Sequence, residues 1–206
     1  FITILNSILW FFGIHGTAVI DSFMGPLWYA ARFANFDMFQ ASVTAARQYI
    51  VTQDFANHII FLGGTGNTVS LAAIMAFKCR SKRIKSLGKL SLLPGIFNVN
   101  EPVIFGLPMV LNPMMALPFF IVPPVTVLIS FCAMYFGLVP YPTGVTVPWT
   151  LPAPFGGWMM CNDWRGGVLQ LVVLLIGGLI YYPFITALDK QYLKEEQAAP
   201  AEEIGG

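Results

Sequence analysis

The sequence predicts an all-α integral membrane protein, a polytopic helical bundle with re-entrant hairpins. Of its 206 residues, 56% are hydrophobic and 10% are charged, whereas soluble globular proteins carry about 25% charged residues. The 61 residues of segment 102–162 include no Lys, Arg, Asp or Glu. The net charge of +1 does not bear on nucleic acid, but no extended basic face is present for a duplex, so no nucleic acid partner is expected.

The first apolar segment, residues 2–30, is long enough to span a membrane, because a spanning helix needs about 20 mostly apolar residues. It is interrupted by Asn6, His15 and Asp21. Residues 31–54 mix charged and apolar side chains, which is typical of an interfacial helix or a partly buried connector. A second span is predicted over residues 58–77, and the run Gly63-Gly64-Thr65-Gly66-Asn67-Thr68 should break or unwind it.

A cluster of cations without any acid follows the second span: Lys78, Arg80, Lys82, Arg83, Lys85 and Lys89. Cytoplasmic loops of membrane proteins carry an excess of Lys and Arg. The sequence therefore predicts that the basic loop 78–89 faces the cytoplasm. Docking of a cytoplasmic partner is compatible with this cluster but is not required by it.

Residues 90–111 contain two short apolar arms around a polar, proline-marked tip, a pattern that predicts a re-entrant hairpin. A further span is predicted over residues 114–138, kinked at its prolines. Residues 139–162 are uncharged and rich in Pro and Gly, and they suit either a second re-entrant element or an extracellular-side loop. The last span is predicted over residues 168–185. Paired interruptions of this kind mark the binding sites of transporters.

The chain divides into a membrane-embedded part, residues 1–190, and an acidic tail, residues 191–206, which its composition predicts to be disordered. It begins at Phe1 within an apolar run, without Met or a basic n-region, which predicts a fragment of a larger protein rather than a signal peptide. The cysteines are widely separated and form no CxxC pair, which indicates neither a zinc site nor a disulfide framework. No metal and no other cofactor are expected.

Glu101 is the strongest candidate functional residue. It is the only glutamate before Glu195 and lies immediately before the uncharged tract. Ionisable groups within apolar membrane segments are rare and indicate a functional site by default. A glutamate that caps a helix, or that lies at the lipid headgroups, is the alternative. Asn100, next to it at the hairpin tip, is a further candidate.

His15 and two tryptophans complete the candidate set. Flanking glycines leave the His15 imidazole uncrowded, and an unpaired polar group within an apolar span is costly, which favours a functional role over that of an ordinary core histidine. Trp10 and Trp149 are candidates for stacking on the apolar faces of pyranose rings, although membrane tryptophans also serve as interfacial anchors. Neutral polar groups, a carboxylate and aromatic rings together suit a sugar.

The glycine-rich run at 63–68 does not indicate a nucleotide site. It lacks the Gly-Lys-Ser/Thr ending of a Walker sequence and the third glycine of a dinucleotide fingerprint. Two interpretations stay open for it: a backbone break that exposes amides to a polar ligand, or close packing between helices.

Several strings together resemble one family of membrane proteins. The string Ser81-Lys82-Arg83-Ile84-Lys85-Ser86-Leu87-Gly88-Lys89, leading to Leu93-Pro94-Gly95-Ile96-Phe97-Asn98-Val99-Asn100-Glu101-Pro102-Val103-Ile104-Phe105-Gly106, resembles the lactose/cellobiose/diacetylchitobiose family of phosphotransferase-system (PTS) EIIC permeases. The segments Gly13-Ile14-His15-Gly16 and Gly63-Gly64-Thr65-Gly66 match it as well. The resemblance covers nearly the whole chain except the acidic tail, and it identifies residues 1–190 as the C-terminal sugar-binding half.

The resemblance implies a multi-pass protein of the bacterial inner membrane. Family members carry a sugar that is phosphorylated on the cytoplasmic side by a phosphocysteine of EIIB, with EIIA, HPr and EI upstream. The expected partners are therefore a β-linked disaccharide such as cellobiose, diacetylchitobiose or lactose, phosphorylated EIIB, membrane lipid, and a second copy bound through an N-terminal half that this chain lacks. EIIB and EIIA are expected as separate chains.

Residue by residue, the resemblance places His15 and Glu101 among the sugar-contacting residues, with Trp10 and Trp149 plausible by position. Glu101 is expected to bind the hydroxyl that is phosphorylated, or its neighbour, and can serve as general base, while His15 shares that task or orients the ring. Catalysis would occur only together with EIIB. Two other functions stay open: an ion-coupled secondary sugar transporter with Glu101 as the coupling residue, and a membrane sensor that does not transport.

Overall fold

The computed structural model describes residues 1–41, 49–107, 109 and 112–198. All regular structure within these ranges is helical, which confirms the predicted all-α class for them. The helices are α1 (Ile2–Phe11), α2 (Gly16–Gln40), α3 (Gln53–Phe55), α4 (Thr68–Phe77), α5 (Lys82–Ile96), α6 (Glu101–Gly106), α7 (Pro113–Tyr135), α8 (Phe155–Cys161) and α9 (Trp164–Ala198), with a π-helical turn at Ala56–Ile60.

The first predicted span, residues 2–30, is wrong as a single helix because the chain turns between α1 and α2. Gly13 has a φ of 77°, a conformation that glycine adopts without strain. Its amide donates to Trp10 O and the Ile14 amide donates to Leu9 O, each at 2.9 Å. α2 then continues to Gln40, so residues 31–40 of the predicted connector belong to this helix. Residues 42–48 lie outside the described chain.

The predicted break within residues 58–77 is confirmed. The chain leaves the π-helical turn, forms turns over residues 61–67, and enters α4 at Thr68. Asn67, with a φ of 57°, precedes α4. Its Nδ2 donates to Val173 O on α9 at 2.8 Å, which ties the break to the long C-terminal helix.

The predicted basic loop, residues 78–89, is wrong from residue 82 onward, because the first half of α5 occupies that stretch. The Ser81 side chain caps this helix by accepting from Ile84 N at 3.3 Å. Two carboxylates of α9 satisfy neighbouring amides. Asp189 accepts from Arg80 N and Ser81 N, each at 2.9 Å, and Glu196 accepts from the Ser81 hydroxyl at 2.7 Å.

The predicted disorder of residues 191–206 is wrong for 191–198, which form the last turns of α9. Glu196 is held at the start of α5, where its carboxylate also accepts from the amides of Lys82 and Arg83, each at 3.1 Å. The Arg83 guanidinium lies 4.8 Å from the centre of the Tyr192 ring. These contacts order the tail helix, whereas residues 199–206 lie outside the described chain.

The polar tip predicted within residues 90–111 is the turn 97–100, which joins α5 to α6. Residues 108, 110 and 111 lie outside the described chain. The segment predicted to be irregular, residues 139–162, runs without regular structure to 154 and then forms α8. The re-entrant character of both segments stays a prediction.

Two of the described helices are long and apolar enough to cross a membrane. α7 has a mean hydropathy of 2.1 and α9 of 2.2 over their most apolar windows. α7 contains Pro118, Pro123 and Pro124. Each of these prolines lacks the amide that would donate to the carbonyl four residues earlier. Ser7 Oγ donates to one of these carbonyls, Phe119 O, at 3.1 Å. Both helices contribute to the packed interior, through residues such as Phe119 and Tyr181.

Candidate functional site

A cavity of about 400 Å³ lies between the start of α2, α3 and the turn before α6. Trp10, His15, Asn100, Glu101 and Trp149 all line it. The structure thus brings together every site residue that the sequence analysis selected, although they are spread over 140 positions of the chain.

His15 and Glu101 face each other across this cavity. His15 precedes the first turn of α2, where its Nδ1 accepts from Ala18 N at 3.2 Å. Because Nδ1 is an acceptor there, the neutral imidazole carries its proton on Nε2. Nε2 lies 3.5 Å from Glu101 Oε1. The loop between α1 and α2 therefore presents a donor to the carboxylate at the start of α6.

The second carboxylate oxygen of Glu101 has no hydrogen-bond partner among the described residues. Oε2 is sheltered from solvent and accepts no hydrogen bond from the described residues, although 43% of the side chain is exposed. Buried polar atoms almost always have a partner, so an exception requires an explanation. A ligand hydroxyl that donates to Glu101 would supply the missing hydrogen-bond partner.

The two tryptophans differ in their environment. Trp10 is only 2% exposed, and its ring centre lies 4.5 Å from that of His15. The Trp10 Nε1 donates to Thr17 Oγ1 at 3.5 Å. The buried Trp10 ring therefore packs against His15 and is anchored to α2. Trp149 is 52% exposed and lies on the irregular segment before α8. Of the two rings, Trp149 has the larger free face for stacking.

The glycine-rich run 63–68 is hydrogen-bonded to the turn 97–100. Gly63 N donates to Asn98 Oδ1 at 2.7 Å, and Asn98 Nδ2 donates to Trp149 O at 2.5 Å. Asn100 Nδ2 donates to Thr65 O at 3.4 Å. Of the two interpretations that the sequence left open for this run, close packing describes these contacts, because the Gly63 amide already has a protein acceptor.

Substitution of Gly64 by Ala is expected to lower the free energy of unfolding by at least about 2 kcal/mol, through backbone strain and overpacking. Gly64 has a φ of +83°, and a Cβ there would lie 2.3 Å from Asn100 Cβ. Gly137→Ala is the matched control, because Gly137 has a φ of +74° with nothing within 4 Å of such a Cβ. Thermal unfolding in detergent compares the two variants; equal shifts would show that the Asn100 contact contributes nothing.

Several polar residues that were not predicted from the sequence line the same cavity: Asp21, Gln53, Asn57, Thr65 and Asn98. Asp21 was visible only as a polar interruption of an apolar segment. Gln53 and Asn57 are four positions apart and therefore share a helical face. No pattern in the sequence places that face against α2.

Cys79 is not a candidate nucleophile. Burial, and secondarily the Asp189 carboxylate, raise the pKa of this thiol to about 12. Because the thiolate is the reactive form of cysteine, Cys79 is inert at neutral pH. Among the described residues, no group of three or more His, Cys, Asp or Glu side chains could hold a metal ion.

The family model of the phosphotransferase system EIIC matches residues 1–123. The chain belongs to this EIIC family. It is 43% identical to the oligo-beta-mannoside-specific EIIC component of Bacillus subtilis (strain 168), over 95% of this chain and 44% of that protein. It is also 43% identical to the cellobiose-specific EIIC component of Geobacillus stearothermophilus, over 96% of this chain and 44% of that protein.

A solved EIIC structure has the same fold. The transporter ChbC, the IIC component of an N,N'-diacetylchitobiose-specific phosphotransferase system, superposes with a TM-score of 0.92 and 40% sequence identity, over 97% of this chain and 46% of ChbC. The EIIC resemblance stated from the sequence is therefore confirmed. The chain spans about half the length of the EIIC proteins that it matches.

Proposed function

We propose that this chain forms the sugar-binding part of an EIIC permease that takes up a β-linked disaccharide. The observation that carries the proposal is the pair His15–Glu101, with a carboxylate oxygen to which none of the described residues donates. A carboxylate that accepts from a hydroxyl makes a charge-assisted hydrogen bond, roughly twice as strong as a neutral one. His15 Nε2 supplies a donor beside it, so the pair can hold a sugar hydroxyl by both its proton and its oxygen.

The substrate class follows from the lining of the cavity and from the relatives. Exposed Trp149 offers a flat apolar face to a pyranose ring, and the amide side chains of Asn98 and Asn100 line the same cavity as the Glu101 carboxylate. The names of three similar proteins specify oligo-beta-mannosides, cellobiose and N,N'-diacetylchitobiose. All three are β-linked sugars of two or more rings, and we assign a sugar of this type to the present cavity.

The proposed chemistry transfers a phosphoryl group from a phosphocysteine of EIIB to the bound sugar. Glu101 takes the proton of the reacting hydroxyl while the hydroxyl oxygen attacks phosphorus in line with the departing cysteine sulfur, which leaves as a thiolate. His15 orients the hydroxyl and the carboxylate. Positioning supplies most of the catalysis in reactions of this type. The chain is thus catalytic only in complex with EIIB.

The proposed setting is the bacterial inner membrane. α7 and α9 are assigned as spans, and the segment 78–89, mostly the start of α5, is assigned to the cytoplasmic side by its cations. The α5–α6 pair and the segment 139–161 are assigned as re-entrant elements that present Glu101 and Trp149 to the cavity. Further expected partners are membrane lipid and a second copy bound through the N-terminal half of the full-length protein.

Uptake by the full-length protein in sealed vesicles tests the transport class. Labelled cellobiose, diacetylchitobiose and lactose are supplied with and without phosphorylated EIIB, and with and without an uncoupler of the proton gradient. We expect sugar phosphate to accumulate only with phosphorylated EIIB, regardless of the uncoupler. Uptake that ignores EIIB and stops with the uncoupler would instead make the protein an ion-coupled transporter, and sugar binding without any uptake would make it a sensor.

A further inference from the structure

Asn98 follows the end of α5 and sets the direction in which the chain continues toward Glu101. Its φ of 67° lies in the left-handed region, which asparagine adopts more readily than most residues other than glycine. Asn98 N donates to Gly95 O and Val99 N donates to Pro94 O, each at 3.0 Å. These two bonds form a Schellman motif, a common helix ending in which glycine usually occupies the left-handed position. Backbone geometry alone would therefore permit glycine at position 98.

The Asn98 side chain has a second role, because its amide joins the turn 97–100 to two other segments. Its Oδ1 accepts from Gly63 N in the glycine-rich run at 2.7 Å, and its Nδ2 donates to Trp149 O at 2.5 Å. Glycine has no side chain to make these bonds, and an ionised aspartate has an acceptor but no donor. Asparagine combines the left-handed backbone with both a donor and an acceptor.

Trp149 lies on a segment without regular structure, so its position depends on side-chain contacts rather than on a helix. On the α2–α3 side of the cavity, Arg32 and Asp54 hydrogen-bond to the backbone of this segment. On the α5–α6 side, Asn98 does the same at Trp149 itself. The residue that presents the aromatic ring is therefore bonded directly to the turn that leads into Glu101.

We propose that Asn98 is a positioning residue that sets the place of the Trp149 ring relative to the Glu101 carboxylate. Both groups line the cavity, and a sugar that stacks on the ring while it donates to the carboxylate needs the two groups at a fixed separation. Binding groups must be held within about 0.5 Å of the productive geometry. Asn98 lies three residues before Glu101 and is bonded to Trp149, so one amide couples the two contacts. The inference rests on the proposed function, because it concerns the same sugar site.

Substitution of Asn98 by Gly in the full-length protein tests this role, because glycine keeps the left-handed backbone and removes both side-chain bonds. We expect the affinity for labelled cellobiose to fall about twofold to tenfold, the range that corresponds to one lost hydrogen bond. Asn162→Gly is the matched control and should keep the wild-type affinity. Asn162 is also left-handed, with a φ of 52°, and it lies exposed at the end of α8, outside the cavity lining.

Asn98→Asp provides a second variant that keeps the acceptor for Gly63 N. Its carboxylate cannot donate to Trp149 O, so the affinity for cellobiose should fall at least as far as with Asn98→Gly. This variant also tests the inference if Asn98→Gly does not fold.

A double variant with Trp149→Ala shows whether Asn98 acts through the ring. Once the ring is absent, Asn98→Gly should cause little further loss of affinity, because the two residues share one effect. Losses that add in the double variant would overturn the inference, since Asn98 would then act on the sugar directly or on the fold as a whole. Wild-type affinity in Asn98→Gly, or in Trp149→Ala, would overturn it as well while leaving the proposed function intact. A wild-type protein that binds neither cellobiose nor diacetylchitobiose would instead overturn the proposed function, and this inference with it.

Discussion

Replacing Glu101 by Gln is expected to weaken β-disaccharide binding by about tenfold to hundredfold, because hydrogen bonds to charged groups contribute about 1.5–3 kcal/mol. Phosphoryl transfer should fall further, since loss of a general base costs about a hundredfold to ten-thousandfold in rate. The substitution preserves side-chain size and leaves an amide oxygen that can accept from His15 Nε2. The folded structure should therefore survive while function is lost.

Equilibrium binding of labelled cellobiose and the rate of sugar phosphate formation with phosphorylated EIIB measure the two effects separately. Glu195→Gln is the matched control, because Glu195 is exposed near the end of α9, where it accepts from Gln191 at 3.1 Å. Binding that is lost with transfer still intact in the bound fraction would limit Glu101 to sugar recognition. Near-normal binding and transfer in Glu101→Gln would remove this residue from the site altogether.

Replacing Arg32 by Met is expected to lower the free energy of unfolding by about 3–5 kcal/mol, because it leaves a buried carboxylate without its counter-ion. Arg32 Nε lies 3.4 Å from Asp54 Oδ2, and the Asp54 side chain is only 2% exposed. The same guanidinium donates to Gly144 O at 3.1 Å and to Thr146 Oγ1. Asp54 Oδ1 in turn accepts from Val147 N at 3.4 Å.

This pair holds the irregular segment that presents Trp149, so sugar affinity should fall together with stability. Thermal unfolding in detergent measures the effect on stability. The double variant Arg32→Met with Asp54→Asn should recover much of the loss, because a neutral amide no longer requires a cation. A double variant less stable than the single one would show that Arg32 acts through its contacts with Gly144 and Thr146 rather than through the Asp54 charge.

The sequence predicted the members of the candidate site because an apolar background makes polar residues conspicuous. Glu101 precedes a long uncharged tract, and His15 interrupts an apolar run between two glycines. In a membrane protein each of these side chains needs a reason to be present. Each of these residues is conspicuous by itself, whichever helices pack together.

Features that depend on contacts between distant parts of the chain could not be predicted in this way. Asp21 accepts a hydrogen bond from Gln53, a residue 32 positions later, and no periodic pattern in the sequence links the two. The composition of the tail 191–198 predicts disorder, yet Glu196 accepts hydrogen bonds from the amides of residues more than 110 positions earlier. The turn between α1 and α2 was hidden because apolar residues on both sides give a continuous run long enough for one span.

The attachment of α9 to α5 has a mechanical consequence. Asp189 and Glu196 are seven residues apart and thus lie two turns apart on one face of α9. Both carboxylates accept hydrogen bonds from backbone amides at the start of α5. Two points of attachment fix the rotation of α5 as well as its position. Since α5 leads directly into the turn that carries Asn100 and Glu101, loss of the last turns of α9 is expected to shift α5 and, with it, the candidate site at its other end.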